Sequence, residues 1–99
     1  MIDREFLRGF VKLYTLWRAS KGGVHGAQIR EDMEALGFRL SPGTLYPTLH
    51  KLLREKDVIV SSHVINGRVR KQYRLTPKGR RELKEVRERL KVLVTEVFK

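Results

Sequence analysis

Apolar residues recur every three or four positions at Phe6, Phe10, Leu13, Tyr14 and Trp17, the spacing of one helix face. Asp3 stands where an N-cap belongs and Gly22-Gly23 follows Ser20, so a first helix is predicted between them. Ile29, Met33 and Leu36 form a second stripe over about 27–36, with Arg30, Glu31 and Glu34 outside it and Gly37 as its stop. Leu45, Leu49, Leu52 and Leu53 mark a third helix, with Ser41 as its N-cap and Pro42 at its first helical position. Pro47 falls inside it, within the opening turns where a missing N–H is expected to matter least.

The period then changes. Val58 to Ile65 is rich in β-branched residues and Arg68 to Leu75 alternates, as strands do. Asn66-Gly67 between them favours a two-residue type I′ turn. That turn sets Ile65 opposite Arg68, Val64 opposite Val69, His63 opposite Arg70, Val60 opposite Tyr73 and Val58 opposite Leu75. One face then collects Val58, Val60, Val64, Val69, Tyr73 and Leu75, and the other His63, Arg68, Arg70 and Arg74. A slip of one residue would bury the arginines. Thr76-Pro77 repeats the cap-plus-proline start, and Leu83, Val86, Leu90, Leu93 and Val97 follow at intervals of three, four, three and four. This heptad seam, widened by Val94 and Phe98, predicts a last helix built to pair with another.

Helix, two helices joined by a short turn, hairpin, helix is the order of a winged helix-turn-helix: mainly α, with a small β-hairpin wing. Two units are expected, a winged helix-turn-helix over 1–75 and a C-terminal dimerisation helix over 76–99. In such domains the third helix, here about 41–55, enters the major groove, and the wing, here 58–75, meets the backbone or minor groove. Thr44, Thr48, Lys51 and Arg54 are expected on the exposed side of that helix, flanked by Tyr46 and His50, with Ser41 at its start. Short polar groups near the helix start suit base edges, and Lys51 and Arg54 suit phosphates. Arg68, Arg70 and Lys71 surround the glycine turn at the wing tip, where the backbone can approach a duplex closely.

Charge points the same way. The 99 residues carry 22 Lys and Arg against 11 Asp and Glu, a formal net charge of +11, which calls for a polyanionic partner or a membrane surface. A chain of this length forms one small core, so a partner subunit would help it. No cysteine is present, which removes disulfides and thiolate metal sites and suits a cytoplasmic protein. No secretory leader and no apolar run of membrane-spanning length is apparent. His25, His50 and His63 lack metal-ligand spacing, and no nucleophile motif or phosphate loop occurs. An enzyme is therefore not expected, nor a cofactor. The competing reading is a winged helix used for protein or RNA contacts; a basic wing and a third helix free of acid at its start favour DNA over a protein-contact module.

Ser41-Pro42-Gly43-Thr44-Leu45-Tyr46-Pro47-Thr48-Leu49-His50-Lys51-Leu52 resembles the recognition-helix signature of the PadR family. Gly67-Arg68-Val69-Arg70-Lys71-Gln72-Tyr73-Arg74-Leu75-Thr76-Pro77-Lys78-Gly79 is similar to that family's wing and the start of its last helix. The resemblance covers roughly 6–83. It implies a prokaryotic, repressor-like regulator that binds a palindromic operator as a homodimer. By matching position, Thr44, Tyr46 and Lys51 would be the helix contacts, and Arg68, Arg70 and Lys71 the wing contacts. The family often binds planar aromatic effectors between the dimer's helices; Trp17 would contribute to such a site here, although core is the usual fate of such a residue. The chain departs from the family in two places. His25-Gly26-Ala27-Gln28-Ile29 lacks the tyrosine of the usual Gly-Tyr-Glu-Ile, and Asp57 stands where a glycine after the third helix is preferred.

Overall fold

A computed structural model describes residues 2–99. Seven elements follow one another: α1 (Arg4–Ser20), β1 (Val24–His25), α2 (Gly26–Ala35), α3 (Pro42–Arg54), β2 (Val58–Ile65), β3 (Arg68–Leu75) and α4 (Pro77–Val97). The four helices and the hairpin match the expected order. The two-residue strand β1 is too short for a sequence period to reveal; it pairs with β3 through Val24–Tyr73 and His25–Gln72, giving an antiparallel sheet β1-β3-β2. The hairpin has the predicted register, from Val58–Leu75 to Ile65–Arg68. Asn66 (φ +52°) and Gly67 (φ +75°) supply the two positive φ angles of a type I′ turn.

Two of the four helices have a side-chain N-cap, and His25 before α2 and Ser41 before α3 make none. The Asp3 carboxylate accepts from the Glu5 amide at 2.7 Å, and the Thr76 hydroxyl accepts from the Gly79 amide at 3.0 Å. Ser41 holds the N-cap position of α3 but its side chain caps no amide; its hydroxyl lies 3.3 Å from that of Thr44. At the C-terminus of α2 the Gly37 amide bonds Glu34 O and the Phe38 amide bonds Met33 O, a Schellman pair closed by glycine in the left-handed region. The same pair closes α3: the Lys56 amide reaches Leu53 O and the Asp57 amide reaches Leu52 O. Its left-handed residue is Lys56, at φ +61°. The position that would suit glycine is therefore Lys56 and not Asp57. Pro47 also needs a different explanation. It is the sixth residue of α3, beyond the four amides that lack a helical partner, so an intrahelical bond is missing and the helix continues regardless.

The core gathers around α3. Leu45, Leu49 and Leu52 meet Val11, Leu16 and Ala19 of α1, Ile29 and Met33 of α2, and Val58, Tyr73 and Leu83. The buried face of α1 thus differs from its aromatic stripe. Phe6, Phe10 and Trp17 stay exposed, and Trp17, at 37% exposure, is not a core residue. The first turns of α4 belong to the core as well. Leu83 is 5% exposed, so of the seam it alone is buried within its own domain and is not free to pair with another helix. A side chain on Gly79 would overlap the Asp57 carbonyl and Leu75, which fixes how closely α4 approaches the start of the wing.

Candidate nucleic-acid interface

The open face of α3 carries Tyr46, Pro47, His50, Lys51 and Arg54. Thr44 and Thr48, expected on that face, are 5% and 8% exposed, and the Thr48 hydroxyl donates to the Thr44 carbonyl at 2.8 Å. The reason is angular. At about 100° per residue, Thr48 lies roughly 60° from Leu45 while His50 and Arg54 lie on the far side. Once Leu45, Leu49 and Leu52 turn inward, both threonines follow them under the N-terminal half of α1.

Two grooves flank this open face. On one side Tyr46 and His50 look across to Val69, Arg70, Lys71 and Tyr73 of β3, and a cleft of about 350 Å³ lies between helix and wing. His25 closes its end, donating from Nδ1 to the Lys71 carbonyl at 3.0 Å. On the other side Pro47, Lys51 and Arg54 face Arg8 and Lys12 of α1. Lys51 is also 3.9 Å from Glu55, one turn along α3. Ser41 and Thr44 open onto a third hollow, which Arg4, Arg30 and Arg39 share. Arg68 stands exposed at the wing tip beside the turn. The structure therefore brings Tyr46, Arg70 and Lys71 to one cleft and Lys51 and Arg54 to the opposite flank of the same helix. Arg4, Arg8 and Lys12 had no place in the sequence-based site. Their spacing of four and four was a visible signal for one basic face of α1, but its position beside α3 comes from packing.

A polar joint fixes α3, the wing and α4 together. The Thr76 hydroxyl donates to Lys56 O at 2.6 Å and to Asp57 O at 3.1 Å. Lys78 of α4 donates to the Glu55 carbonyl and lies 3.3 Å from Asp57 Oδ1. Lys12 of α1 spans the gap, 3.0 Å from Glu82 and 3.7 Å from Glu55. Asp57 is fully buried. That burial, with the Glu82 carboxyl beside it, pushes the Asp57 carboxyl up against the opposing pull of Lys78. Glu82 moves the other way, held down chiefly by its hydrogen bond from Lys12.

On the opposite flank of α1 the aromatic stripe builds an apolar groove of about 290 Å³. Phe10, Tyr14 and Trp17 line it together with Met33, Phe38 and Leu90. The Tyr14 hydroxyl donates to Asp32 at 2.7 Å; burial and this hydrogen bond push the phenol up to about 12. Beyond the groove the seam of α4 is bare. Leu90 is half-buried, while Val86, Leu93 and Val97 are exposed.

Residues 13–85 match the transcriptional regulator PadR-like family. The chain is 45% identical over 95 residues to the transcriptional regulator Rv3488 of Mycobacterium tuberculosis, covering 96% of this chain and 89% of that one. Its fold is similar to a PadR-like transcriptional regulator from Bacillus cereus, with a TM-score of 0.83, 27% identity, and coverage of 94% of this chain and 92% of that one. It is also similar to Bacillus subtilis PadR in complex with operator DNA, with a TM-score of 0.70 and 26% identity, over 77% of this chain and 45% of that one. With its winged helix fold and this match, the chain belongs to the PadR-like family of transcriptional regulators.

Proposed function

We propose that the protein is a homodimeric, sequence-specific double-stranded DNA-binding repressor, working on the nucleoid in a prokaryotic cytoplasm. The observation that carries this reading is the cleft in which Tyr46 and His50 of α3 face Arg70 and Lys71 of the wing. An α-helix fits the major groove, and a cationic hairpin across the cleft from it meets the adjacent backbone. Tyr46 and His50 then reach base edges; Arg70, Lys71 and Arg68 take phosphates on the wing side, and Lys51 and Arg54 take them on the other. Ser41, Thr44 and Thr48 act by positioning the helix start. The dimer forms through Val86, Leu90, Leu93 and Val97 of α4, against the second copy's seam and the exposed Phe6 and Phe10 of α1, while Leu83 anchors the helix in its own domain. This division leaves 1–75 as the reading unit and 76–99 as the pairing helix. A protein-contact module lacks a reason for so basic a wing, and the choice between duplex DNA and RNA rests on the helix-in-groove geometry and on the titration below.

The experiment is a titration of duplex DNA, single-stranded RNA and a random duplex at several salt concentrations. Arg70→Ala should weaken binding to every duplex and reduce the slope of log affinity against log salt by about one unit. Tyr46→Ala should instead change the preference between operator and random duplex. Tighter binding to the RNA than to any duplex sinks the DNA reading.

The groove beside Trp17 favours a second element, a small planar aromatic effector. Its walls are aromatic, it is open to solvent, and it adjoins the α4 seam, so an occupant would bear on how two copies pair. Titration of aromatic compounds against Trp17 fluorescence tests this. Absence of quenching across a broad panel, with operator affinity unchanged, would argue for regulation without an effector.

A further inference from the structure

We infer that a line of cations on α4 is a second phosphate-binding surface, which holds a separate DNA duplex while α3 and the wing hold the first. The inference rests on the DNA-binding reading above for the first duplex and on different residues for the second. Arg80, Lys84, Arg87 and Lys91 recur at intervals of four, three and four. That spacing places them on one face of α4 over about 16 Å. Lys21, at the end of α1, joins them around one shallow groove. All five are exposed, and among the described residues none lies within ion-pair distance of a carboxylate. Glu88 lines the same groove without pairing with any of the five; Glu82 is held by Lys12. Like charges at one-turn spacing repel, so α4 carries a cost there that a bound polyanion would remove.

Three features identify the occupant. The groove shares no lining residue with the cleft between α3 and the wing, so it is not an extension of the reading face. The line lies about 110° around α4 from the seam, so pairing of two seams leaves it open. Its apolar floor, Leu83, is already buried in the core. Protein partners anchor on aromatic and aliphatic side chains in pockets, and this surface offers none. A phosphodiester backbone needs no such anchor, only spaced cations. The flank of the first duplex would have to bend around a body 51 Å long, against a persistence length of about 50 nm, whereas a second duplex arrives unbent.

The test uses the full chain, one random-sequence duplex on beads and a second, fluorescent one in solution. Arg80→Gln, Lys84→Gln and Lys91→Gln are combined, leaving Arg87 because it also lines the Trp17 groove. Glutamine is a good helix former, and a melting temperature equal to or above that of the wild type verifies the fold, since relief of the like-charge repulsion can only raise it. The wild type should capture the fluorescent duplex. The triple variant should lose about tenfold in capture and about two to three units of its salt slope, by the usual 0.9 per phosphate contact. Its affinity for a single duplex should stay within about twofold. Swapping the same three positions between Lys and Arg should retain capture. Equal capture by wild type and triple variant overturns the inference, because the two reading faces of a dimer would then suffice. Single-duplex binding without capture overturns it alone; no single-duplex binding overturns the proposed function with it. Polyglutamate that competes for capture at a lower charge concentration than free random duplex does assigns the surface to an acidic protein instead.

Discussion

Lys56 occupies a left-handed position that most side chains avoid, and it does so because the Schellman pair ending α3 leaves no alternative. Glycine has no Cβ to clash there. Lys56→Gly should therefore stabilise the fold by up to about 1 kcal/mol, or about 4–8 °C in melting temperature for a chain of this size. Thermal unfolding checks it, and a lower melting temperature would mean that the lysine makes a compensating contact. Asp57, next in the chain, is a buried carboxylate whose proton affinity is raised by burial and by Glu82. A carboxyl whose folded pKa lies above its unfolded value favours the protonated fold. Its contribution is fully present below the unfolded pKa and is lost as pH rises through the folded one. Asp57→Asn should then raise the melting temperature at pH 7, by about 1 kcal/mol in stability, and flatten its decline between mildly acidic and neutral pH. Destabilisation at pH 7 would instead show that attraction to Lys78 outweighs the cost of burying the charge. Glu82 works with the opposite sign: its folded pKa is lowered by Lys12, so its contribution is present above the unfolded carboxyl pKa and fades as pH falls through the folded value.

At the scale of elements, α3 serves two masters. Its inner face is set by Leu45, Leu49 and Leu52, and its outer face must stay free for a ligand, so side chains between the two are claimed by whichever neighbour packs first. Thr44 and Thr48 went to the core side because α1 crosses over them. Pro47 remains on the open side at the cost of one helical hydrogen bond. Pro47→Ala should stabilise the protein by about 1–3 kcal/mol, read as a rise in denaturant midpoint with unchanged slope. If affinity for operator falls at the same time, Pro47 sets the shape of the reading face as well. The wing shows the converse. Its register follows from an Asn-Gly turn and alternation alone, yet Val60, Val64 and Val69 on its inner face are exposed, because the hairpin outruns the core beneath it.

For the whole molecule, the decisive feature is apolar surface left over after one chain has folded. Phe6, Phe10, Leu93, Val97 and Phe98 are exposed, and α4 extends past the core along a body 51 × 32 × 21 Å. Two copies joined along α4 would cover this surface and set two α3 helices on the same side, at a spacing near one turn of DNA, about 34 Å. Sedimentation at micromolar concentration should give a dimer, and Leu90→Asp with Leu93→Asp should give monomer or unfolded chain without tight operator binding. A wild-type monomer at that concentration would remove the pairing helix from the mechanism.

The periodicities of α1, α2, α3 and α4, the Asn-Gly turn with its register, and the caps at Asp3 and Thr76 were all legible in sequence, because each depends on residues within a few positions of one another. The helix-turn-helix order followed from them, and the two motifs at 41–52 and 67–79 pointed to the family. Tertiary packing alone decided which apolar face of α1 is core and which is bare, since both faces have helical spacing and only the crossing with α3 distinguishes them. It also buried Thr44, Thr48 and Leu83, paired β1 with β3, and carried Arg4, Arg8 and Lys12 to the edge of α3. Those outcomes depend on contacts between residues tens of positions apart, set by the angles at which helices cross, and no local period encodes such angles.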